Sequence, residues 1–537
     1  MDSVITWTGR TACALQEALR LTNESFAEHL GIAVRTVAAW HQKPALRPKS
    51  EMQQLLDTAL ERATPTVKTR FTHLLGGSPD PAQAHQHEAT APPLQRSGPE
   101  HAEAERRLSA DPYIHAALDW LDHAAARAPG TSRASVASRL AHLDLHALRD
   151  RGARRRRVDQ PDIAFALSGF YREQVSGYGQ YAVQCGDGRK AATSILTCAD
   201  WLDLDCAIPS VNDRLRLTAT SPSATVHLDE SAVNRAAQRL AETLALGIRL
   251  VDMPLYDLHS ADIQSGRIAG ALQIAPFVQY ALTMDLLEGE LIDAISAKSG
   301  NLVDALPLRA RYLPDTRSIL DLEGRLCAGG VLALSAIARP ASIRNEADYL
   351  LIVQERSGHV LNAARKLAVI PKGFHQPLTD LGADTQIGAT LLREMEEELF
   401  GRDDIDNTVS DQRSVDPMHP TRLSTPMLWL NESRDALRME CTGFGLNLVS
   451  GNYEFASLIV IDDEEFWARF GGQIEASWES STLRRYSSLD DSLLTELIGD
   501  VAWSNEGLFA LLQGLRRLSR IGGRRVNLPT IEWALQR

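Results

Sequence analysis

The sequence has no run of about 18 uncharged apolar residues, so no transmembrane helix is expected. The first residues, MDSVITWTGRTACALQ, place an acid early and no basic stretch ahead of an apolar one, so no signal peptide is expected. Six cysteines (Cys13, Cys185, Cys198, Cys206, Cys327, Cys441) are scattered and none forms C-x-x-C, which argues against zinc and against a disulfide framework. Reduced thiols suit a cytoplasmic protein, the expected location. Excess positive charge is also missing. A net charge of −13 argues against coating nucleic acid with the whole surface. No P-loop or Ser-His-Asp arrangement is recognisable, and GYGQYAVQCGDG lacks the spacing of a dinucleotide loop.

What is present points to several domains. The chain has 537 residues, 44% hydrophobic and 23% charged, too long for one ordinary core. The charge is uneven: residues 1–75 hold nine Lys and Arg against seven Asp and Glu, a slightly basic head on an acidic body. Residues 76–107 open with a Pro-, Gly-, Ala- and Gln-rich run that has too little apolar surface to offset its ordering entropy, and read as a disordered linker. Residues 108–324 read as mixed helix and strand with no functional assignment. Within them Arg154–Arg157 form a basic run, ordinarily a solvated helix end, with a nucleic-acid contact as the alternative. From 325 to 537 the pattern changes. AGGVLALSAIARP, DYLLIVQERS, GFGLNLVS and EFASLIVID read as strands, and WSNEGLFALLQGLRRLSRI as a closing amphipathic helix.

Residues 11–60 carry helix-turn-helix spacing: Leu15 and Leu19 on a first helix, Thr22 as a cap, Ala27 at a close crossing, Gly31 in the turn, then Val37 and Trp40 inward on a further helix. Thr22, Ala27, Leu30, Gly31, Thr36, Val37 and Trp40 resemble the pattern of the Cro/repressor-like (XRE) family. That resemblance covers about an eighth of the chain. It implies an all-α DNA-binding domain over 1–75, a homodimer on duplex DNA, and DNA contacts from Asn23, Arg35, Thr36, Ala39 and Lys43. Base readout would rest on Arg35, because Ala33 and Val34 are apolar where the family is commonly polar. The bland alternative is a helical interaction module without DNA binding.

The second motif is LLREMEEELFGR, residues 391–402. On a helix Glu394, Glu397 and Glu398 fall at i, i+3 and i+4 and share a face, with Glu396 elsewhere. Three like charges there repel. A divalent cation would reverse this, and the alternative is a solvated acidic face. Arg393, Glu394, Met395, Glu397 and Glu398 resemble the core of the Nudix box, and VIPKG resembles the turn that enters it. The resemblance implies an α+β Nudix-like fold over 325–537, with Mg2+ held by Glu394, Glu397 and Glu398 on a nucleoside-diphosphate-linked compound. Glu397 and Glu398 are the candidate catalytic residues. The pattern is eroded. Thr379 and Thr385 stand where the box has glycine and glutamate, Phe400 where it has glycine, and Gly401 comes one step late. Asp380 or Asp384 could substitute for the missing glutamate, and His375 or His419 could face the same cleft.

Together these readings describe a transcriptional regulator that binds DNA and senses a nucleotide-like small molecule, with no membrane partner. The alternative is a Mg2+-dependent Nudix-type pyrophosphohydrolase with an accessory head. A chain with neither activity also stays open.

Overall fold

The computed structural model describes residues 7–536, except for scattered positions between 20 and 58 and except for 61–70, 72–97, 174, 209–210, 221–225, 300, 344, 357–365, 403–417, 434 and 475–479. The chain divides into two compact units, Met1–Gln95 and Arg96–Arg537.

In the first unit two helices are described, Gly9–Leu19 and Val34–Gln42. Trp7, Leu15, Phe26, Leu30, Val37, Trp40, Leu56 and Phe71 form its core. Trp7 stacks on Phe71 at 5.7 Å, and His41 Nε2 lies 2.9 Å from Gln16 Oε1. The expected all-α helix-turn-helix domain is not what this unit shows. Among the described residues no such domain is evident, and Thr22, Asn23 and Gly31, which would build its first turn, lie outside them.

The second unit overturns the rest of the expected fold class, a mixed middle region followed by a separate α+β Nudix-like domain. One sheet of 11 strands runs through both. From the middle region come β1 (Tyr178–Cys185), β2 (Lys190–Cys198) and β3 (Leu202–Ile208). From the C-terminal part come β7 (Gly329–Arg339), β8 (Asp348–Arg356), β9 (Leu367–Val369), β10 (Lys372–Phe374), β11 (Leu437–Asn447), β12 (Tyr453–Ile461), β13 (Ser480–Ser487) and β14 (Ile531–Gln536). The main path is β13-β8-β7-β12-β11-β2-β1-β14. Strand β7 pairs parallel with β12, and the join between the two parts is antiparallel, β11 with β2 and β3. A second sheet, β4 (Asp213–Ala219), β6 (Arg267–Pro276) and β5 (Pro254–Gln264), lies beside it in sequence.

Both faces of the large sheet are covered, which is why β7 and β12 read as continuous apolar runs rather than alternating ones. Val331, Ala333 and Ile337 join one cluster with Ile387, Leu391, Met395 and Leu399 of the glutamate helix. Leu332, Leu334 and Ala336 join the other with Leu508, Leu512 and Leu515 of the closing helix Asn505–Ile521. A helical layer, Pro99–Ala110, Ile114–Ala124, Thr131–Ala141 and Glu230–Leu246, has a core of its own. Its first helix begins inside the stretch read as linker and runs past its end, and it buries Ala104 and Leu108.

Arg309 ties distant segments of this unit. It is fully buried, and its guanidinium donates to the carbonyls of Leu287 (3.3 Å), Leu448 and Val449 (2.5 Å) and to the Tyr171 hydroxyl (3.1 Å). The flat fork reaches several acceptors that a lysine ammonium cannot span. Arg309→Leu strands three carbonyls and is expected to cost about 3 kcal/mol in urea unfolding. Arg309→Lys should recover less than half, and full recovery would contradict the multi-acceptor role.

Candidate functional site

The glutamate helix begins at Ile387 and is α-helical to Glu394; its last turn, Met395–Leu399, is π. The buried row Ile387, Leu391, Met395, Leu399 has a spacing of four. On an α-helix such a row drifts by about 40° per step. The wider last turn keeps Leu399 on the sheet, and it re-aims the glutamates. Gly401, at φ 64°, then ends the element in the left-handed conformation. The late glycine therefore works as a helix stop.

The glutamates have separate tasks. Glu394 is buried, accepts from Arg393 Nη2 at 2.9 Å, and lies so close to Gly373 that a Cβ there would overlap it. Glu398 accepts the Lys372 backbone N–H at 2.7 Å and the Gln354 amide at 3.2 Å. Glu397 is half-buried. Glu396, expected to point elsewhere, is fully buried. It accepts from the Ser424 N–H (2.6 Å), the Ser424 hydroxyl and Arg402 (3.3 Å), and so anchors the next helix, Thr425–Glu432. Thus Glu394 and Glu398 meet at one short strand, β10. Among the described residues no group of three or more His, Cys, Asp or Glu side chains is arranged to hold a metal ion.

The eroded box positions have structural work. Thr385 donates to the carbonyls of Leu215 (3.0 Å) and Gly382 (2.8 Å). Asp384 Oδ2 accepts the N–H groups of Leu378, Thr379 and Asp380, and Asp380 Oδ1 those of Gly382 and Ala383. Both aspartates order the loop. Arg393 is held instead by Glu394 and by the carbonyls of Phe374 (3.3 Å) and Gln376 (3.5 Å). Phe400 packs edge-on to Phe466 at 6.1 Å. His375 is a core residue. It is fully buried, its Nδ1 lies 2.8 Å from the Tyr453 hydroxyl, and burial pushes it down to about 3, so it is neutral. His419 caps a short turn through the Thr421 N–H.

Lys372 reaches the other face of the sheet with its side chain, where Nζ meets Glu506 at 2.5 Å. Glu506 lies in the first turn of the closing helix, where the helix dipole favours its charge. Burial opposes that charge, but Lys372 prevails and holds the carboxyl below its ordinary value. Asn447 donates to Glu506 (3.3 Å) and to Glu454 (3.5 Å). Glu454 sits on β12 opposite Gly330, whose hypothetical Cβ would lie 2.9 Å from Oε2. That oxygen is buried without a hydrogen-bond partner among the described residues. Burial and the Glu506 charge push Glu454 up to about 8, so it carries a proton at neutral pH. Nearby Glu288 is pushed up to about 7 by burial and by Asp285, which itself pairs with Arg239 at 2.6 Å.

Lys372, Asn447, Glu454 and Glu506 escaped sequence reasoning. A lone acid inside an apolar strand, YEFASLIVI, was the signal for Glu454. In the other unit, Asn23 lies outside the described residues. Arg35 and Lys43 are exposed at helix Val34–Gln42, and Thr36 and Ala39 are half-buried.

Glu454 yields a pH prediction. Its native value, about 8, exceeds its ordinary 4.5, so the native state keeps a proton that the unfolded chain releases. The resulting stability is complete below about 4.5 and is lost as pH rises through about 8. Glu454→Gln keeps the neutral form. Relative to its offset at pH 5, the variant should gain more than about 1 kcal/mol over wild type by pH 8 in urea unfolding. Parallel pH profiles would contradict this.

No helix among the described residues is long and apolar enough to cross a membrane. No protein-family model matches the chain, and no curated protein matches it.

Proposed function

We propose that the chain is a ligand-responsive DNA-binding regulator, and that the Glu394–Glu398 end of the glutamate helix takes a nucleotide-like, diphosphate-bearing compound with a divalent cation. The observation that carries this reading is the meeting of Glu394 and Glu398 at the three-residue strand β10, beside a second acidic group around Lys372. A diphosphate would be repelled by these carboxylates alone, and Mg2+ takes carboxylate oxygens. Glu394 and Glu398 are oxygen donors of the kind Mg2+ takes, two of the three carboxylates the motif would supply. The cation would, however, compete with Arg393 and with the Lys372 N–H for oxygens already in use.

That competition favours binding over turnover. Glu398, a candidate base, already accepts from the Gln354 amide and the Lys372 N–H, and the loop ahead of the helix is closed by Asp380, Asp384 and Thr385 on its own backbone and on Leu215. A misplacement of about 1 Å at a reacting centre can lose on the order of a hundredfold in rate. Calorimetry of diphosphate nucleotides on the full chain should give heat with Mg2+, little without it, and none after Glu397→Gln with Glu398→Gln. No heat from any compound would leave the helix as a structural acidic face, and rapid turnover would make the chain a pyrophosphohydrolase.

DNA is assigned to helix Val34–Gln42, because Val37 and Trp40 are buried while Arg35 and Lys43 are exposed. A homodimer on a two-fold site suits this reading. Arg35→Ala should weaken binding to a selected duplex by about 1–3 kcal/mol and relax one base position. Recovery of no enriched sequence in site selection would contradict it.

A further inference from the structure

The basic run Arg154–Arg157 belongs to helix Leu145–Arg155, LHALRDRGARR, and to the turn that follows it. This helix buries none of its side chains. It is pinned to the body by charge instead. Arg151 pairs with Glu242, and Arg155 makes a two-pronged contact with Asp293 (2.6 and 2.5 Å) and donates to the Gly289 carbonyl (3.3 Å). Arg151 and Arg155 are four apart, so they lie on one face. Arg149, Arg154, Arg156 and Arg157 are exposed, and none has an ion pair among the described residues. Of the acids in this stretch, Asp150 lies 3.2 Å from the exposed imidazole of His146, and Asp144 caps the helix by accepting the N–H groups of His146 and Ala147. Two arginines thus anchor the helix and four are left facing solvent, on a chain whose net charge is −13.

We propose that this surface docks the phosphate backbone of duplex DNA, independently of base sequence. It goes beyond the proposed function, because it lies in the Arg96–Arg537 unit and does not depend on Arg35. The charge is complementary to a polyanion that the rest of an acidic chain repels. Arg149 to Arg157 span about 12 Å, enough to meet several phosphates, and each guanidinium fork matches phosphate oxygens. The helix carries no Phe, Tyr or Trp to stack unpaired bases, which disfavours a single strand. It offers only Leu145 as an exposed large apolar side chain, at the far end, which disfavours a lipid surface.

The test is anisotropy of a labelled random-sequence duplex with the full chain, from about 50 to about 200 mM salt. Reversing Arg149, Arg154, Arg156 and Arg157 to Glu should weaken binding by at least about tenfold and make the salt slope shallower by about 3. Thermal unfolding should stay near wild type, since no buried contact is lost. A second variant with Lys at the four positions keeps the charge and should retain most of the slope. In an Arg35→Ala, Lys43→Ala background, where preference for a selected site should be lost, reversing the four arginines to Glu should still make the random-duplex slope shallower by about 3. The two assignments therefore fail separately. The proposal is overturned if wild type binds no random duplex, if the folded Glu variant binds it unchanged, or if single-stranded RNA or phosphatidylserine vesicles are bound through these arginines and the duplex is not.

Discussion

Lys372 is the residue on which the two faces of the large sheet converge. Its backbone N–H holds Glu398 at the end of the glutamate helix, and its ammonium holds Glu506 at the start of the closing helix. Strand β10 has three residues, too few for ladder hydrogen bonds alone to fix two helices. The lysine supplies the positive charge that makes a cluster of buried acids tolerable. Glycine on either side of the register completes the arrangement: Gly373 leaves room for Glu394, and Gly330 for Glu454.

The cluster divides its carboxylates by environment. Glu506 keeps its charge because Lys372 is in contact with it, whereas Glu454, without that contact, takes a proton. Glu396 is taken up by the Ser424 backbone and hydroxyl and serves the architecture. Glu394 and Glu398 are the two that meet at strand β10. Each is hydrogen-bonded to a group that a cation or phosphate could displace, and this is where ligand binding would be felt on both faces of the sheet.

Much of the local structure was legible. Strands β7, β8, β11 and β12 and the closing helix were readable because two-sided burial gives uninterrupted apolar runs, and the closing helix a clear stripe. The joining of the middle region to the C-terminal sheet was not. Strand β2 enters through Thr193, Ser194 and Thr197, buried polar residues that do not look central, and its partner Leu446 lies 250 residues from Leu196. Their hydroxyls find acceptors only after folding, Thr197 on the Phe444 carbonyl for example. The glutamate face was read with α-helical spacing, and the π turn changed which carboxylates meet. At the N-terminus, the helix carrying Arg35 is present with Val37 and Trp40 inward, but the residues that would complete the expected motif fall outside the described ones.

The ligand-site reading turns on whether Glu398 exchanges the Lys372 amide for a bound cation and diphosphate. The sequence contains seven lysines, so lysine-selective nitrogen-15 labelling gives a spectrum of seven backbone amides, with Lys372 identified by Lys372→Arg. On adding Mg2+ with a diphosphate nucleotide, the Lys372 signal should shift as its carboxylate acceptor is drawn away, while Lys190 and Lys298 stay in place. A Lys372 amide that does not move while the same nucleotide demonstrably binds would place the ligand elsewhere and contradict the account.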